Sequence, residues 1–276
     1  MKLDSGYAYI RHLSLDVMAG SLCSGLMVAT LLEVQMPWVW WVSLPVGVWL
    51  IYTADHLLDA RRLGESAHTP RHRFHYRYAS QIGIAWAVVF LLCIGIIPWY
   101  SPRELLLAGL AMGMLVGIHL VLVKWIGSRV SILFQKELGV GIIYGLGVWI
   151  GPLALDHQLP TPSTLFMFLQ FTLLAFLNLI IFSHYDRQVD ELDGHSSLVR
   201  AMTDKGVTSL VLTCTSLFLI LGCLVLREGL LPVQGIYMAM LLILLATYFF
   251  PAYFGQEERF RSWGDGVFLL PIISLL

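Results

Sequence analysis

The sequence predicts an all-α, polytopic membrane helix bundle, and three observations predict it. The 276 residues are 58% hydrophobic and only 13% charged, with a mean hydropathy of +0.76. A soluble domain carries about 25% charged residues. Eight apolar runs approach the ~20 residues that cross a hydrocarbon core. The 15 basic residues that fall on one side of those runs, against two on the other, form a strong positive-inside pattern.

The runs come in this order: Leu13 to Leu32, Trp38 to Ala54, Ile82 to Tyr100, Leu105 to Val123, Leu138 to Leu155, Thr164 to Phe182, Val207 to Leu226 and Leu230 to Phe250. A short ninth, Val267 to Leu276, covers about 15 Å as an α-helix, half of the roughly 30 Å core. The N-terminus lacks a clear cleavage site, so the first run reads as a retained helix rather than a signal peptide. With the N-terminus inside, only Arg103 and Arg227 face out. The expected organisation is one domain over residues 1–276, in two four-helix halves. Its cytoplasmic loops cover about 59–81, 124–137, 183–206 and 251–266, and it sits in the cell (inner) membrane. Trp38, Trp40 and Trp41 read as an aromatic belt. Gly141, Gly145, Gly147 and Gly151 read as points of close helix packing.

Composition also excludes. A net charge of −1 argues against a nucleic-acid partner. The four cysteines lie inside apolar runs without metal-ligand spacing and read as small apolar residues.

The chemistry is carried by two acidic pairs, Asp55 and Asp59 after the second run, Asp186 and Asp190 after the sixth. A spacing of four puts both carboxylates of a pair on one helix face. Carboxylates at a membrane end are costly unless solvated, paired or metal-bound. Magnesium takes oxygen ligands, usually one or two carboxylates plus substrate phosphates. Four carboxylates around one cavity therefore suit a Mg²⁺–diphosphate complex, acting by Lewis-acid assistance. Arg61, Arg71, Arg73, Lys124 and Lys136 are the candidate diphosphate ligands. Asn178, His119 and Tyr144 are cavity candidates. Asp193 reads as a solvated loop charge. His68, His72 and His75 read as part of a basic interfacial segment with Phe74, Tyr76 and Tyr78.

The stretch Tyr185-Asp186-Arg187-Gln188-Val189-Asp190, with Gly194, Ser197 and Leu198, resembles the second Asp-rich motif of the UbiA superfamily of intramembrane prenyltransferases. Asp55-x-x-x-Asp59 with Arg61 resembles the second half of that family's first motif. Leu122 to Trp125, Leu138-Gly139 and Gly151-Pro152 are similar to its helix four–five region. Ile51 and Tyr52 stand where the first motif has its leading Asn-Asp. The resemblance implies an enzyme in which Asp55, Asp59, Asp186 and Asp190 hold Mg²⁺. It also implies an isoprenyl diphosphate in the lipid bilayer, whose prenyl group passes to an unidentified acceptor, often aromatic in the family. Aromatic side chains such as Tyr144, Trp149 and Phe176 would face the allylic cation. Two other readings remain: a non-catalytic scaffold or transporter, and a CDP-alcohol phosphotransferase. For the phosphotransferase, Asp59-Ala60-Arg61 is only a fragment of the signature.

Overall fold

The computed structural model describes residues 5–126, 136–194, 197–226 and 230–275, and among these it contains helices and no strand. The α-helices are α1 Ser5–His12, α2 Leu15–Leu31, α3 Trp38–Leu63, α4 Pro70–Arg77, α5 Ala79–Tyr100 and α6 Arg103–Ile126. They continue with α7 Lys136–Leu155, α8 Pro162–Leu192, α9 Asp204–Leu226, α10 Leu231–Phe249, α11 Pro251–Phe254 and α12 Arg259–Gly266. Six of them, α5 to α10, are long and apolar enough to cross a membrane. This is a multi-pass membrane protein.

The remaining expected spans are shorter or less apolar. Helix α2 has 17 residues and forms a seventh span only with α1, from which it bends by 69°. Ser14 makes the bend, at a left-handed φ of 54°. Helix α3 has the length, 26 residues, but its last turns carry Asp55, His56, Asp59, Arg61 and Arg62. The short ninth segment is a 3₁₀ helix, Val267–Leu275. At about 2.0 Å per residue it falls short of the core thickness. It packs into α2, where Ser24 Oγ donates to the Phe268 carbonyl at 3.3 Å.

The expected loops are largely helical. Helix α3 runs on to Leu63 and α8 to Leu192, while α4, α11 and α12 fill much of the remainder. Pro70 starts α4, and the Thr69 hydroxyl accepts from the His72 amide at 3.1 Å. That is a favourable N-terminus for so polar a segment. Residues 127–135 lie outside the described set.

Helix α8 is the central beam and touches α7, α9, α10 and α12. Trp149, Phe171, Phe218 and Tyr237 are buried around it. Three of the four α7 glycines named above for close packing act as read from sequence. A Cβ at Gly141 would come within 3.2 Å of the Phe176 backbone, one at Gly145 within 2.5 Å of Thr172 Oγ1, and one at Gly151 within 2.1 Å of Trp40 Nε1. Gly147 has only Met112 at 3.9 Å. Of the cysteines only Cys214 is buried; Cys223 is exposed.

A buried amide pair ties three helices together. Gln170 Nε2 donates to Gln234 Oε1 at 3.1 Å and to the Phe218 carbonyl at 3.2 Å. Gln234 Nε2 donates back to Gln170 Oε1 at 2.8 Å. Gly222 leaves the room, since a Cβ there would sit 3.0 Å from both amides. Gln170→Leu should strand Gln234 and cost roughly 1–3 kcal/mol, read as a lower melting temperature in detergent. Gln170→Leu/Gln234→Leu should recover part of that loss, because no buried amide is left unpaired.

Candidate functional site

The two acidic pairs open onto one cavity of about 230 Å³. Helix α3 contributes Tyr52, Asp55, His56 and Asp59 from its last turns, positions three and four apart that share a face. Helix α8 contributes Asn178, Phe182, Ser183, Asp186 and Asp190. It reaches this far because it continues for 31 residues to Leu192, with Asp193 as C-cap and Gly194 after it at a φ of 67° that suits that position. Helix α7 begins at the cavity and adds Lys136, Glu137, Val140 and Tyr144. Arg11 of α1, Arg71 and His72 of α4, and Arg261 and Asp265 of α12 complete the polar wall.

Of the candidate diphosphate ligands, Arg71 and Lys136 line the cavity and Arg61 and Arg73 do not. Arg61 is exposed. Arg73 is exposed and donates to the Ala67 carbonyl at 3.4 Å. The side chain of Lys124 lies outside the described residues. Asn178 and Tyr144 are lining residues. His119 instead packs on α7, where a Cβ at Gly139 would come within 2.4 Å of its Cε1. Tyr52 is a lining residue and Ile51 is not.

The charges are tied in specific ways. Arg261 Nη2 lies 2.5 Å from Asp186 Oδ2. Glu258 accepts from Arg11 at 2.7 Å. It closes a left-handed turn with Glu257, at φ of 55° and 52°. Such geometry costs about 1–2 kcal/mol per residue, so the Arg11 contact offsets strain at the entry to α12. Tyr185 stacks on Phe260 at 4.3 Å and donates to the Thr247 carbonyl at 2.8 Å, which fixes α12 beside α8. Glu137 Oε1 accepts from Ser183 Oγ at 2.9 Å and from the Leu198 amide at 3.0 Å. Its Oε2, like Asn178 Oδ1, is buried without a hydrogen bond.

Two titrating groups at the polar rim respond to this setting. Burial, then the Arg71 guanidinium, push His56 well below the usual histidine range. It is therefore neutral, and its Nε2 can accept from Arg71 Nη1 at 3.3 Å. Burial, then the Asp16 carboxylate, push Asp265 up to about 7.

Asp193 corrects the sequence reading. It is 8% exposed, not solvated. Its Oδ1 meets His68 Nδ1 at 2.6 Å and accepts from the His68 amide at 3.3 Å, while His72 Nδ1 lies 3.9 Å from Oδ2. The histidine segment is likewise not simply interfacial, because His75 is 1% exposed and bonds the Arg71 carbonyl at 3.0 Å.

Among the described residues no three His, Cys, Asp or Glu side chains come together as a ready metal site. The donor set still fits a hard cation. The acidic pairs offer only oxygen, and Glu137 Oε2, from a residue of the same lining, is a buried oxygen without a hydrogen bond. Magnesium needs only one or two carboxylates when phosphate and water complete its shell.

Sequence reasoning missed Arg11, His56, Glu137, Glu258, Arg261 and Asp265. The signal for two of them was present: Arg261 and Asp265 are four apart, the same spacing as the acidic pairs. No family model, curated protein or solved structure matches the chain.

Because Asp193 clasps the segment ahead of α4 to the end of α8, Asp193→Ala should free that segment. A loss of roughly 0.5–1.5 kcal/mol is expected for the lost hydrogen bonds, since the exposed His68 ring can turn to water. Limited trypsin digestion should then cut near Arg71 or Arg73 under conditions that leave the unaltered protein intact.

Proposed function

We propose that the chain is an intramembrane prenyltransferase. It uses an isoprenyl diphosphate with Mg²⁺ and passes the prenyl group to an acceptor within the bilayer. The observation that carries this reading is the convergence of Asp55, Asp59, Asp186 and Asp190, from helices far apart in sequence, on one cavity. In the same reading the bundle has eight spans and a short ninth segment, in two four-helix halves. Its N-terminus and cavity mouth face the cytoplasm of the cell (inner) membrane. The basic residues support that orientation.

Charge supports the need for a divalent cation. The cavity is lined by seven carboxylates, those of Asp55, Asp59, Glu137, Asp186, Asp190, Glu258 and Asp265. Four side chains of fixed positive charge face them: Arg11, Arg71, Lys136 and Arg261. Asp265, pushed up to about 7, is only partly charged, yet the other six carboxylates still outnumber the four cations, so a diphosphate would enter a site with excess negative charge. Asp55 and Asp59 on one wall and Asp190 with Asp186 on the other would hold Mg²⁺. When bound, the ion neutralises charge on the leaving diphosphate.

The chain's own side chains do the remaining work. Arg71 and Lys136 would bind diphosphate oxygens. Tyr144 is stacked on Phe171 at 5.9 Å and edge-on to Phe268 at 5.2 Å. It presents an aromatic wall that stabilises positive charge on an allylic carbon. The buried surroundings exclude water, which would otherwise capture that carbon.

One observation favours a second reading, a non-catalytic scaffold or transporter. Tyr52 lines the cavity where the resembled motif has a carboxylate.

The test uses the purified chain in nanodiscs with geranyl, farnesyl and geranylgeranyl diphosphate. We expect Mg²⁺-dependent binding and diphosphate release. Asp55→Asn and Asp190→Asn should each lower release about 100-fold or more, the range seen when a preorganised charge is removed. Neither binding nor release with any of the three donors would remove the enzyme reading in favour of the scaffold. Lipid analysis of a deletion strain would then identify the acceptor through the missing prenylated product.

A further inference from the structure

The second acidic pair already has a cation. Arg261 Nη2 is 2.5 Å from Asp186 Oδ2, and the two side chains are 13% and 21% exposed. The guanidinium is enclosed on its other sides as well. Its Nε lies 4.0 Å from Glu258 Oε2, and its carbon sits 5.5 Å from the Phe182 ring centroid and 5.0 Å from that of Phe260. Glu258 is itself fixed by Arg11. This is a built contact between α12 and α8.

A guanidinium keeps its charge at any pH a protein tolerates. A divalent cation on Asp186, at an Mg–O distance of about 2.1 Å, would lie against it. Two positive charges that close repel strongly in a sheltered cavity. A diphosphate offers the guanidinium another partner, with matched geometry for two parallel hydrogen bonds and more charge than one carboxylate. Asp186 is then released toward the cavity it lines.

We infer that Arg261 gates the second acidic pair: it occupies Asp186 until an incoming diphosphate draws it off, so divalent-cation binding at this pair depends on the diphosphate. The inference rests on the proposed metal–diphosphate reading and assigns the order of events within it. Because binding free energies are reciprocal, the cation must also tighten diphosphate binding by the same factor.

A double-mutant cycle on Mn²⁺ binding tests it. The full chain in nanodiscs is titrated with Mn²⁺ without any diphosphate, and bound ion is read by electron paramagnetic resonance. Arg261→Gln should bind Mn²⁺ at least about tenfold more tightly than the unaltered chain. Asp186→Asn alone should change affinity less than about twofold, since Asp186 is already held. Arg261→Gln/Asp186→Asn should fall back to the unaltered value, a coupling that only a shared partner produces.

An unchanged affinity in Arg261→Gln overturns the gate, and so does a tenfold loss in Asp186→Asn alone. If melting curves show that Arg261→Gln does not fold, the Asp186→Asn titration decides by the same criterion. The chain is also titrated with preformed Mn²⁺–inorganic diphosphate. Binding of that complex without the expected cycle defeats the gate and leaves the proposed function standing. No binding of either Mn²⁺ or the complex by any variant defeats both.

Discussion

Everything at the cytoplasm-facing end of the proposed topology depends on one constraint, the neutralisation of carboxylates at the mouth of an apolar bundle. A carboxylate there is tolerated only with water, a cation or hydrogen-bond donors around it. The chain answers by bringing basic residues from four elements. Arg11 comes from α1, Arg71 from α4, Lys136 from α7 and Arg261 from α12. The short helices α1, α4 and α12 are held in place by these pairings. Arg11 secures Glu258, Arg261 secures Asp186, and Asp193 secures His68. The same contacts that make the charges affordable therefore build the roof of the cavity.

Helix α8 transmits that arrangement into the bundle. Its N-terminal half is fixed by the reciprocal Gln170–Gln234 amides, its middle by close approach to Gly141. Its inner end meets Glu137 through Ser183. A second bond from Glu137 to the Leu198 amide joins the start of α7 to the segment after α8. Arg187 reaches in the other direction, to Asp204 and to the carbonyls of Val199 and Met202. The helix that carries Asp186 and Asp190 is thus braced on both sides of the acidic pair. Such bracing gives a site its geometry before any ligand arrives.

Each acidic pair was legible because an i, i+4 repeat is a local property that survives any tertiary arrangement, and their meeting on one cavity followed the expectation that both lie at the same end of the bundle. So were most of the apolar spans, whose length and hydropathy are local too. What escaped was non-local. Asp193 follows the helix that carries the second pair and looks like any solvated charge after a helix end; only the return of His68, 125 residues earlier, buries it. Glu137 gave no sign of its role because its partners come from α8 and the segment beyond it. The helices inside the connecting segments were not drawn from the sequence for a different reason. Residues 70–77 are polar, which marked them as outside the bilayer, but polarity says nothing against helix. Thr69 and Pro70 were the visible N-terminal signal.

Tyr52 marks where the lining departs from the resembled motif. It lies three residues before Asp55, and as a lining residue it brings a phenol where the resembled motif has a carboxylate. Ile51, beside it, turns away from the lining. Helix α3 therefore supplies two carboxylates to its wall. Glu137 of α7 adds a third, and Asp55, Asp59, Asp190 and Glu137 all act on the one ammonium of Lys136. A hard cation responds to the number and distance of oxygens around it, whichever helix carries them. In an enclosed cavity the set of oxygens is what has to be kept, and a motif written along one helix is only one way to keep it.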